Sequence, residues 1–193
     1  MVFTETEWIA MPRAIARDVL RQEIGGNPNI EVTHELSEKI RAMIKSKKVE
    51  VISDLGLLAE AGKQSKLLST QELIYPSSWT DPQIAEGITV GASPSAFSTR
   101  EVGTVVGVTP EIQTDGTISM TPDIESMEVD ANDYFTPDKQ PVFSSRQLAP
   151  QINLKNGIGV ILSGGEASES VKKAHPGEDW LLFVLFRATI YTP

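Results

Sequence analysis

The chain has 193 residues, of which 40% are hydrophobic and 22% are charged, and its formal net charge is −9. A chain of this length can hold one full domain, or one domain with a small helical addition. The negative charge predicts no affinity for nucleic acid, and the lack of cysteine excludes disulfides, thiolate metal sites and a cysteine nucleophile.

Two helices are predicted near the N-terminus. Residues 11–24 carry apolar side chains four positions apart, and Pro12 fits the first turn of a helix. Residues 34–46 have a similar apolar face, and Thr33 can cap the N-terminus of that helix. Together these segments define a predicted N-terminal helical region, residues 1–48.

From residue 49 onward the apolar pattern changes to alternation, which predicts a mainly antiparallel β domain over residues 49–193. Strands are predicted at residues 49–52, 55–61, 66–75, 142–154, 158–162 and 180–191, with polar loops at residues 77–95, 130–141 and 163–177. The last strand is apolar on both faces, so we expect it to lie in the middle of a sheet. The predicted fold class is therefore α+β.

The most regular alternation predicts one long, bent central hairpin at residues 101–129. Asp115 and Gly116 form a two-residue turn signal in its middle. Pro110 and Pro122 interrupt the two arms at similar distances from the turn. Because proline cannot donate a hydrogen bond to a strand ladder, each proline should lie at an edge or a bend.

The sequence contains no recognised catalytic motif: there is no H-E-x-x-H, no G-x-S-x-G, no phosphate-binding loop and no dinucleotide fingerprint. No catalytic, cofactor-binding or metal-binding residue is therefore predicted, although the acidic residues 130–138 leave weak calcium binding open beside a plain acidic turn. Gly164 and Gly165 are expected to have a structural role at the exit of a strand. Trp79, in the predicted loop 77–95, is a possible surface contact.

The order of these segments resembles the C-terminal domain of bacterial secretins, the outer-membrane ring proteins of type II secretion and type IV pilus systems. The longest similar stretch is VGTVVGVTPEIQTDG at residues 102–116, which combines alternating valines with a proline and an Asp-Gly turn. Further similar stretches follow the order of the family at residues 49–64, 72–76, 122–126, 140–146, 156–165 and 182–193.

The similarity is interrupted after Gly165. Secretins have there an amphipathic segment that seats the ring in the outer membrane, whereas residues 166–175 of this chain are short and charged. Because the membrane-seating segment is missing or replaced, a soluble oligomer or monomer is favoured over an inserted pore. No apolar run is long enough for a transmembrane helix, and no leader is visible.

The resemblance implies a non-enzymatic component of a bacterial envelope secretion or type IV pilus system, which acts through sheet pairing and protein contacts. The expected partners are other secretion or pilus components and further copies of the chain, in the periplasm or at the outer membrane. One alternative stays open: a soluble exported β domain that binds a host surface, a glycan or another envelope protein through the loop carrying Trp79. A hydrolase has no supporting group of residues.

Overall fold

The structure is a computed structural model that describes residues 1–21, 30–85, 88–130, 136–137 and 139–191. Strands predominate, so the prediction of a mainly antiparallel β chain is confirmed. The elements in chain order are β1 (Val2–Pro12), α1 (Arg13–Arg21), β2 (Ile30–Val32), α2 (His34–Lys45), β3 (Glu50–Ala59), β4 (Ser65–Trp79), β5 (Gln83–Ala85), β6 (Ile88–Val90), β7 (Pro94–Val108), β8 (Glu111–Ile112), β9 (Ile118–Met120), β10 (Asp123–Asp130), β11 (Val142–Leu148), β12 (Ile152–Leu154), β13 (Gly159–Glu166), α3 (Glu169–Ala174) and β14 (Trp180–Ile190).

The first sheet holds five strands in the order β2-β13-β14-β1-β3, and every neighbouring pair is antiparallel. β14 lies in the middle, and β1 pairs with it from Val2 opposite Ile190 to Pro12 opposite Trp180. Most residues of β14 are buried because both faces of the strand are covered, as predicted for a central strand.

The second sheet holds four strands in the order β11-β10-β7-β4, and it is also antiparallel throughout. A third sheet, β12-β9-β8, and the small hairpin β5-β6 complete the described strands. β7 and β8 form the first arm of the central stretch, and β9 and β10 form the second arm. The two arms keep the same pairing register throughout, since Gly107 faces Asp123 and Ile112 faces Ile118. This central stretch therefore runs through both the second and the third sheet.

Two apolar cores lie on opposite faces of the first sheet. Trp8 and Val184 belong to one buried cluster together with Val106 and Ile124 of the second sheet. The next residue, Ile9, belongs instead to the cluster beneath the helices. This alternation follows from the two-residue period of a strand. It gives three layers: α1 with α2, the first sheet, and the second and third sheets, with Val171 of α3 in the core between the last two layers.

α2 is held on the first sheet by both apolar and charged contacts. Leu36 and Ile40 are buried against the sheet, and the Thr33 hydroxyl caps the helix by accepting the Leu36 N–H at 3.2 Å. Arg41 Nη2 donates to Glu7 Oε1 at 2.6 Å. Glu7 lies on β1 and is only 6% exposed. This ion pair therefore links the helix to the sheet at a partly buried site.

The N-terminus differs from the sequence-based prediction. Val2–Pro12 is a strand and α1 begins at Arg13, so Met11 and Pro12 are not helical. β1 pairs with a strand on each side and Met11 is fully buried, and this tertiary pairing outweighs the apolar spacing that favoured a helix. Residues 22–24 of the predicted helix lie outside the described residues.

Two of the predicted loops contain regular structure. The stretch 77–95 holds the end of β4, the strands β5 and β6, and the start of β7, and the stretch 163–177 holds the end of β13 and α3. The predicted strands 49–52 and 55–61 are one strand, β3. Polar composition predicted loops, but strands that are exposed on both faces can also be polar.

The domain boundary near residue 48 stays a prediction. β1 lies N-terminal to this boundary, yet it is paired between β14 and β3, which both lie C-terminal to it. Side chains of α1 and α2 pack on the same sheet. A cut at residue 48 would therefore remove one of the inner strands of the first sheet.

Candidate functional site

A long two-stranded ribbon extends from the second sheet. β4 and β7 pair along their length, with register shifts between Pro76 and Trp79. β10 pairs with β7 only as far as Gly103. Beyond that point, residues 71–79 and 94–102 pair only with each other in the described part of the chain, and we call these two segments the ribbon.

Gly103 stands where the ribbon begins, and its conformation excludes other residues. Its φ is 138°, which residues with a side chain rarely adopt. A Cβ atom at this position would lie 2.2 Å from the carbonyl oxygen of Ser69 and 2.8 Å from the Cα of Thr70. The glycine therefore permits a close approach of β7 to β4 at the position where β10 stops pairing.

The ribbon and its tip carry exposed apolar side chains. Ile74 and Phe97 lie on the same face of the ribbon, and each is 61% exposed. Ile84, on the β5-β6 hairpin at the tip, is 79% exposed. A two-stranded ribbon is only marginally stable alone, and a cluster of exposed apolar side chains commonly marks a contact with another molecule.

Aromatic contacts hold the start of β11 beside the ribbon. The rings of Tyr75 and Phe143 are 5.4 Å apart between centroids. The Arg100 guanidinium lies 4.8 Å from the centroid of the Phe143 ring, a distance typical of cation–π attraction. Side chains thus connect β11 to the ribbon where β10 and β7 are not paired.

Both outer strands of the second sheet have an open edge among the described residues. β4 has 15 residues and pairs only with β7, whereas β11 has 7 residues and pairs only with β10. Unpaired N–H and C=O groups on such edges are a template for pairing with another strand. Charged residues that would discourage pairing are few, since β11 contains only Arg146 and β4 contains Lys66 and Glu72.

The directions of the strands make the two edges compatible with each other. Each neighbouring pair in the second sheet is antiparallel and the number of strands is even, so β4 and β11 run in opposite directions. The β4 edge of one copy would therefore meet the β11 edge of the next copy as an antiparallel pair. A repeated contact of this head-to-tail type closes into a ring if the rotation per copy allows it.

The predicted turn residues Asp115 and Gly116 lie in the loop between β8 and β9. The Gly116 N–H donates to the Gln113 carbonyl at 3.0 Å and the φ of Gly116 is 81°, so this is a three-residue loop, not the two-residue turn predicted. Asp115 Oδ1 accepts the hydroxyl of Thr117 at 2.7 Å and its N–H at 2.9 Å. These two hydrogen bonds, that of the hydroxyl first, hold the pKa of Asp115 below its ordinary value.

Pro110 and Pro122 both lie in gaps between strands. Pro110 separates β7 from β8, Pro122 separates β9 from β10, and both side chains are buried. The Pro110 carbonyl accepts the Gly62 N–H at 2.7 Å. At these positions the missing proline N–H removes no bond from a strand ladder, and a role of the two prolines in bending the chain stays a prediction.

Gly164 and Gly165 lie inside β13 and not at its exit, because β13 continues to Glu166. The pairing register with β14 shifts between Ser163 and Gly165, and the φ of Gly165 is 86°. A Cβ atom on Gly164 would lie 2.8 Å from Cζ3 of Trp8. The two glycines therefore form a bulge against which the Trp8 ring packs.

Trp79 is the last residue of β4 and is half-buried, whereas the sequence predicted a loop. With the Gln140 amide oriented to satisfy both neighbours, the indole N–H of Trp79 donates to its oxygen at 3.2 Å. The amide nitrogen then donates to the Pro76 carbonyl at 3.0 Å. A role of Trp79 as a surface contact stays a prediction.

Most of the predicted calcium loop, residues 131–135 and 138, lies outside the described residues. Across the ranges that the structure describes, no group of three or more His, Asp or Glu side chains is arranged to hold a metal ion. None of the helices in those ranges combines the length and the hydrophobicity needed to cross a membrane.

The sequence analysis missed the residues that define the ribbon. Gly103 was a usable signal, because an isolated glycine within a strand pattern often marks a close approach of two backbones. Ile74 and Phe97 gave a weaker signal, since polar serines and a proline surround them and predicted a loop instead.

Three solved structures illustrate what the chain is similar to. The type II secretin GspD from enteropathogenic Escherichia coli matches over 100% of this chain and 68% of its own, with 13% identity and a TM-score of 0.45. The type II secretin XcpQ from Pseudomonas aeruginosa matches over 100% of this chain and 59% of its own, with 11% identity and a TM-score of 0.49. The type III injectisome secretin InvG from Salmonella matches over 100% of this chain and 63% of its own, with 14% identity and a TM-score of 0.45.

The match to a protein family rests on sequence and is independent of these structures. No curated protein matches the chain. Residues 42–175 match the family Secretin, described as bacterial type II and III secretion system protein. This match covers more than half of the chain and confirms the resemblance, and the chain therefore belongs to the secretin family.

Proposed function

We propose that the chain is a non-enzymatic, wall-forming subunit of a secretin ring in a type II secretion or type IV pilus system. Copies join when the β4 edge of one second sheet pairs with the β11 edge of the next. The observation that carries this proposal is the pair of open edges, which run in opposite directions and bear few charges.

The exposed ribbon supports the same proposal. A neighbour that pairs with β4 along its 15 residues would turn the two-stranded ribbon into part of a wider sheet. It would also supply contacts for Ile74 of β4, which is exposed in the single copy. Burial of such side chains contributes about 25 cal/mol for each Å² of apolar surface removed from water.

The proposed partners are further copies of the chain and other components of the same secretion or pilus system. The proposed location is the bacterial envelope, in the periplasm or at the outer membrane. α3 lies between β13 and β14, where the resemblance to the membrane-seating segment of secretins breaks down. We therefore propose that pairing of sheets, and not this connection, holds the subunits together.

Proline substitution on β4 tests the edge pairing. The N–H groups of neighbouring residues in a strand point to opposite edges, so of the variants Gln71→Pro and Glu72→Pro one removes an outward N–H and the other an inward one. Both residues are exposed. We expect the outward variant to fold with the wild-type circular dichroism spectrum but to lose the high-mass species in sedimentation velocity, and we expect the inward variant to weaken the β4–β7 pairing itself.

The comparison with wild type decides the proposal. A wild-type chain that forms rings under the electron microscope, together with a folded proline variant that does not, supports pairing through β4. If both proline variants are folded and assemble to the same mass as wild type, the β4 edge does not join the copies and the proposal is wrong.

A further inference from the structure

β13 of the first sheet is partly covered on its outer edge by the short strand β2. β14 pairs with β13 along its length on one side, whereas β2 pairs with it only at Gly159, Val160 and Ile161 on the other. The rest of β13, up to Glu166, has no strand on that outer side among the described residues. β2 thus pairs with fewer than half of the residues along the outer edge of β13.

The direction of β2 would interrupt the alternation of strand directions if the first sheet continued into a second copy. β13, β14, β1 and β3 alternate in direction, so β3 and β13 run in opposite directions at the two sides of this four-stranded set. β2 is antiparallel to β13 and therefore runs in the same direction as β3. The β3 edge of a second copy would meet β13 as an antiparallel pair, but it would meet β2 as a parallel one.

We propose that β2 is a removable edge cover, and that β3 of a second copy takes its place on β13 when the ring assembles. This inference rests on the proposed function, since it adds a second junction to the one between β4 and β11. The first and second sheets then both continue from copy to copy as purely antiparallel sheets, and the only strand that leaves its position is β2.

The lengths of β2 and β3, and the exposed side chains of β3, favour the replacement of β2 by β3 of a second copy. β2 has three residues, whereas β3 has ten and pairs only with β1 among the described strands. β3 also carries the partly exposed side chains Val51, Ile52 and Leu58. A neighbouring β13 would satisfy the open backbone groups of β3 and cover part of these side chains.

α2 can stay in place when β2 leaves. Leu36 and Ile40 anchor the helix in the core beneath it, and Arg41 is bonded to Glu7 on β1. The ion pair does not involve β2, whereas Leu36 and Ile40 share their buried cluster with Val32 of β2 as well as with Ile9 of β1 and Phe183 of β14. The displacement therefore breaks the three pairs on β13 and removes Val32 from this cluster, while the contacts of α2 with β1 and β14 remain.

A disulfide that locks β2 tests the proposal, because the chain has no cysteine of its own. Glu31 faces Val160 across the two strands, so the double variant Glu31→Cys with Val160→Cys can be compared in its oxidised and reduced forms. The matched control is Glu125→Cys with Gln147→Cys, which links β10 to β11 and leaves both proposed junctions free. Association is measured by sedimentation velocity over a range of concentrations.

We expect the oxidised β2 lock to need a concentration about tenfold higher or more to assemble than its reduced form, because several backbone hydrogen bonds are lost at each junction. The control should assemble equally well in both forms. Equal assembly of the oxidised and reduced β2 lock would overturn the inference and leave the proposed function standing. If neither the wild type nor the reduced variants assemble, the proposed function fails, and the inference fails with it.

Hydrogen exchange of the wild-type chain gives a readout that needs no substitution. On assembly, whichever of the neighbouring Glu31 and Val32 amides points toward β13 should lose protection, and the amides of β3 that point away from β1 should gain it. Retained protection in β2 together with unchanged exchange in β3 would contradict the displacement, whatever the behaviour of the cysteine variants.

Discussion

At the scale of single residues, two glycines permit contacts that no other residue would allow. Gly103 lets β7 approach the Ser69 carbonyl, and Gly164 lets the Trp8 ring pack against β13. Both lie inside strands, where glycine has a conformational cost on folding. At Gly164 the close approach brings the buried Trp8 ring against β13, and at Gly103 it brings the two strands of the ribbon together at a partly exposed position.

Gly164→Ala tests this explanation. The new methyl group would lie 2.8 Å from Trp8 Cζ3 and 3.2 Å from the Leu182 carbonyl oxygen, so either the ring or the backbone has to move. We expect a loss of about 1–3 kcal/mol in the free energy of unfolding, measured by urea denaturation. Gly91→Ala is the matched control, because a Cβ there has no atom within 4 Å and should cost nothing. A loss no larger than that of the control would show that the site has room.

At the scale of elements, α2 depends on one ion pair as well as on its apolar face. The Glu7 side chain is only 8% exposed, and its Oε2 atom has no hydrogen-bond partner among the residues that the structure describes. Its Oε1 atom is paired with Arg41, whose side chain is 45% exposed. A buried carboxylate that has lost its partner is destabilising, so the docking of α2 should be sensitive to Arg41.

Arg41→Met should lower the free energy of unfolding by about 3 kcal/mol, because it leaves Glu7 buried and unpaired. Lys45→Met, near the end of the same helix and exposed, is the control and should cost less than about 0.5 kcal/mol. Adding Glu7→Gln to Arg41→Met should recover part of the loss, since a neutral amide is less costly to bury than a carboxylate. Thermal unfolding followed by circular dichroism measures all three. Equal effects of the Arg41 and Lys45 substitutions would contradict a role of the ion pair.

At the scale of the whole molecule, net charge opposes the proposed assembly. Each copy carries a formal charge of −9, so neighbouring copies repel each other at long range. β4 and β11 contain few charges of their own, so backbone pairing and apolar contact have to overcome this repulsion. Screening of the repulsion by salt should therefore favour association.

Raising the ionic strength from about 10 mM to about 0.15 M shortens the screening length from about 30 Å to about 8 Å. We expect the fraction of assembled chain to rise over this range in sedimentation velocity. Sodium chloride and potassium chloride at equal ionic strength should act alike, because screening does not depend on the identity of the ion. Weaker association at higher salt would indicate that opposite charges hold the junctions together.

The secretin resemblance and the mainly antiparallel β content could be predicted from the sequence because both depend on local patterns. The alternation at residues 102–108 and the turn signal at Asp115 and Gly116 each depend on residues that are close together in the sequence. The turn itself was predicted one residue too short, since two-residue and three-residue loops with glycine share the same signal.

The remaining parts of the fold depend on partners that are distant in the chain. Val2–Pro12 is a strand because β14 and β3 lie on either side of it, and no local pattern shows those neighbours. The same holds for β2, whose three residues are a strand only because β13 is beside them.

The sequence by itself thus determined the family, the β-rich content and the approximate position of the central turn, because side-chain periodicity and turn residues act over short distances. Only the tertiary structure decided which strands are inner and which are outer, where β4, β7 and Gly103 form the ribbon, and that β2 covers β13. The physical reason is that backbone hydrogen bonding is the same for every residue type, so the sequence does not specify which edge remains open until all the strands have been placed.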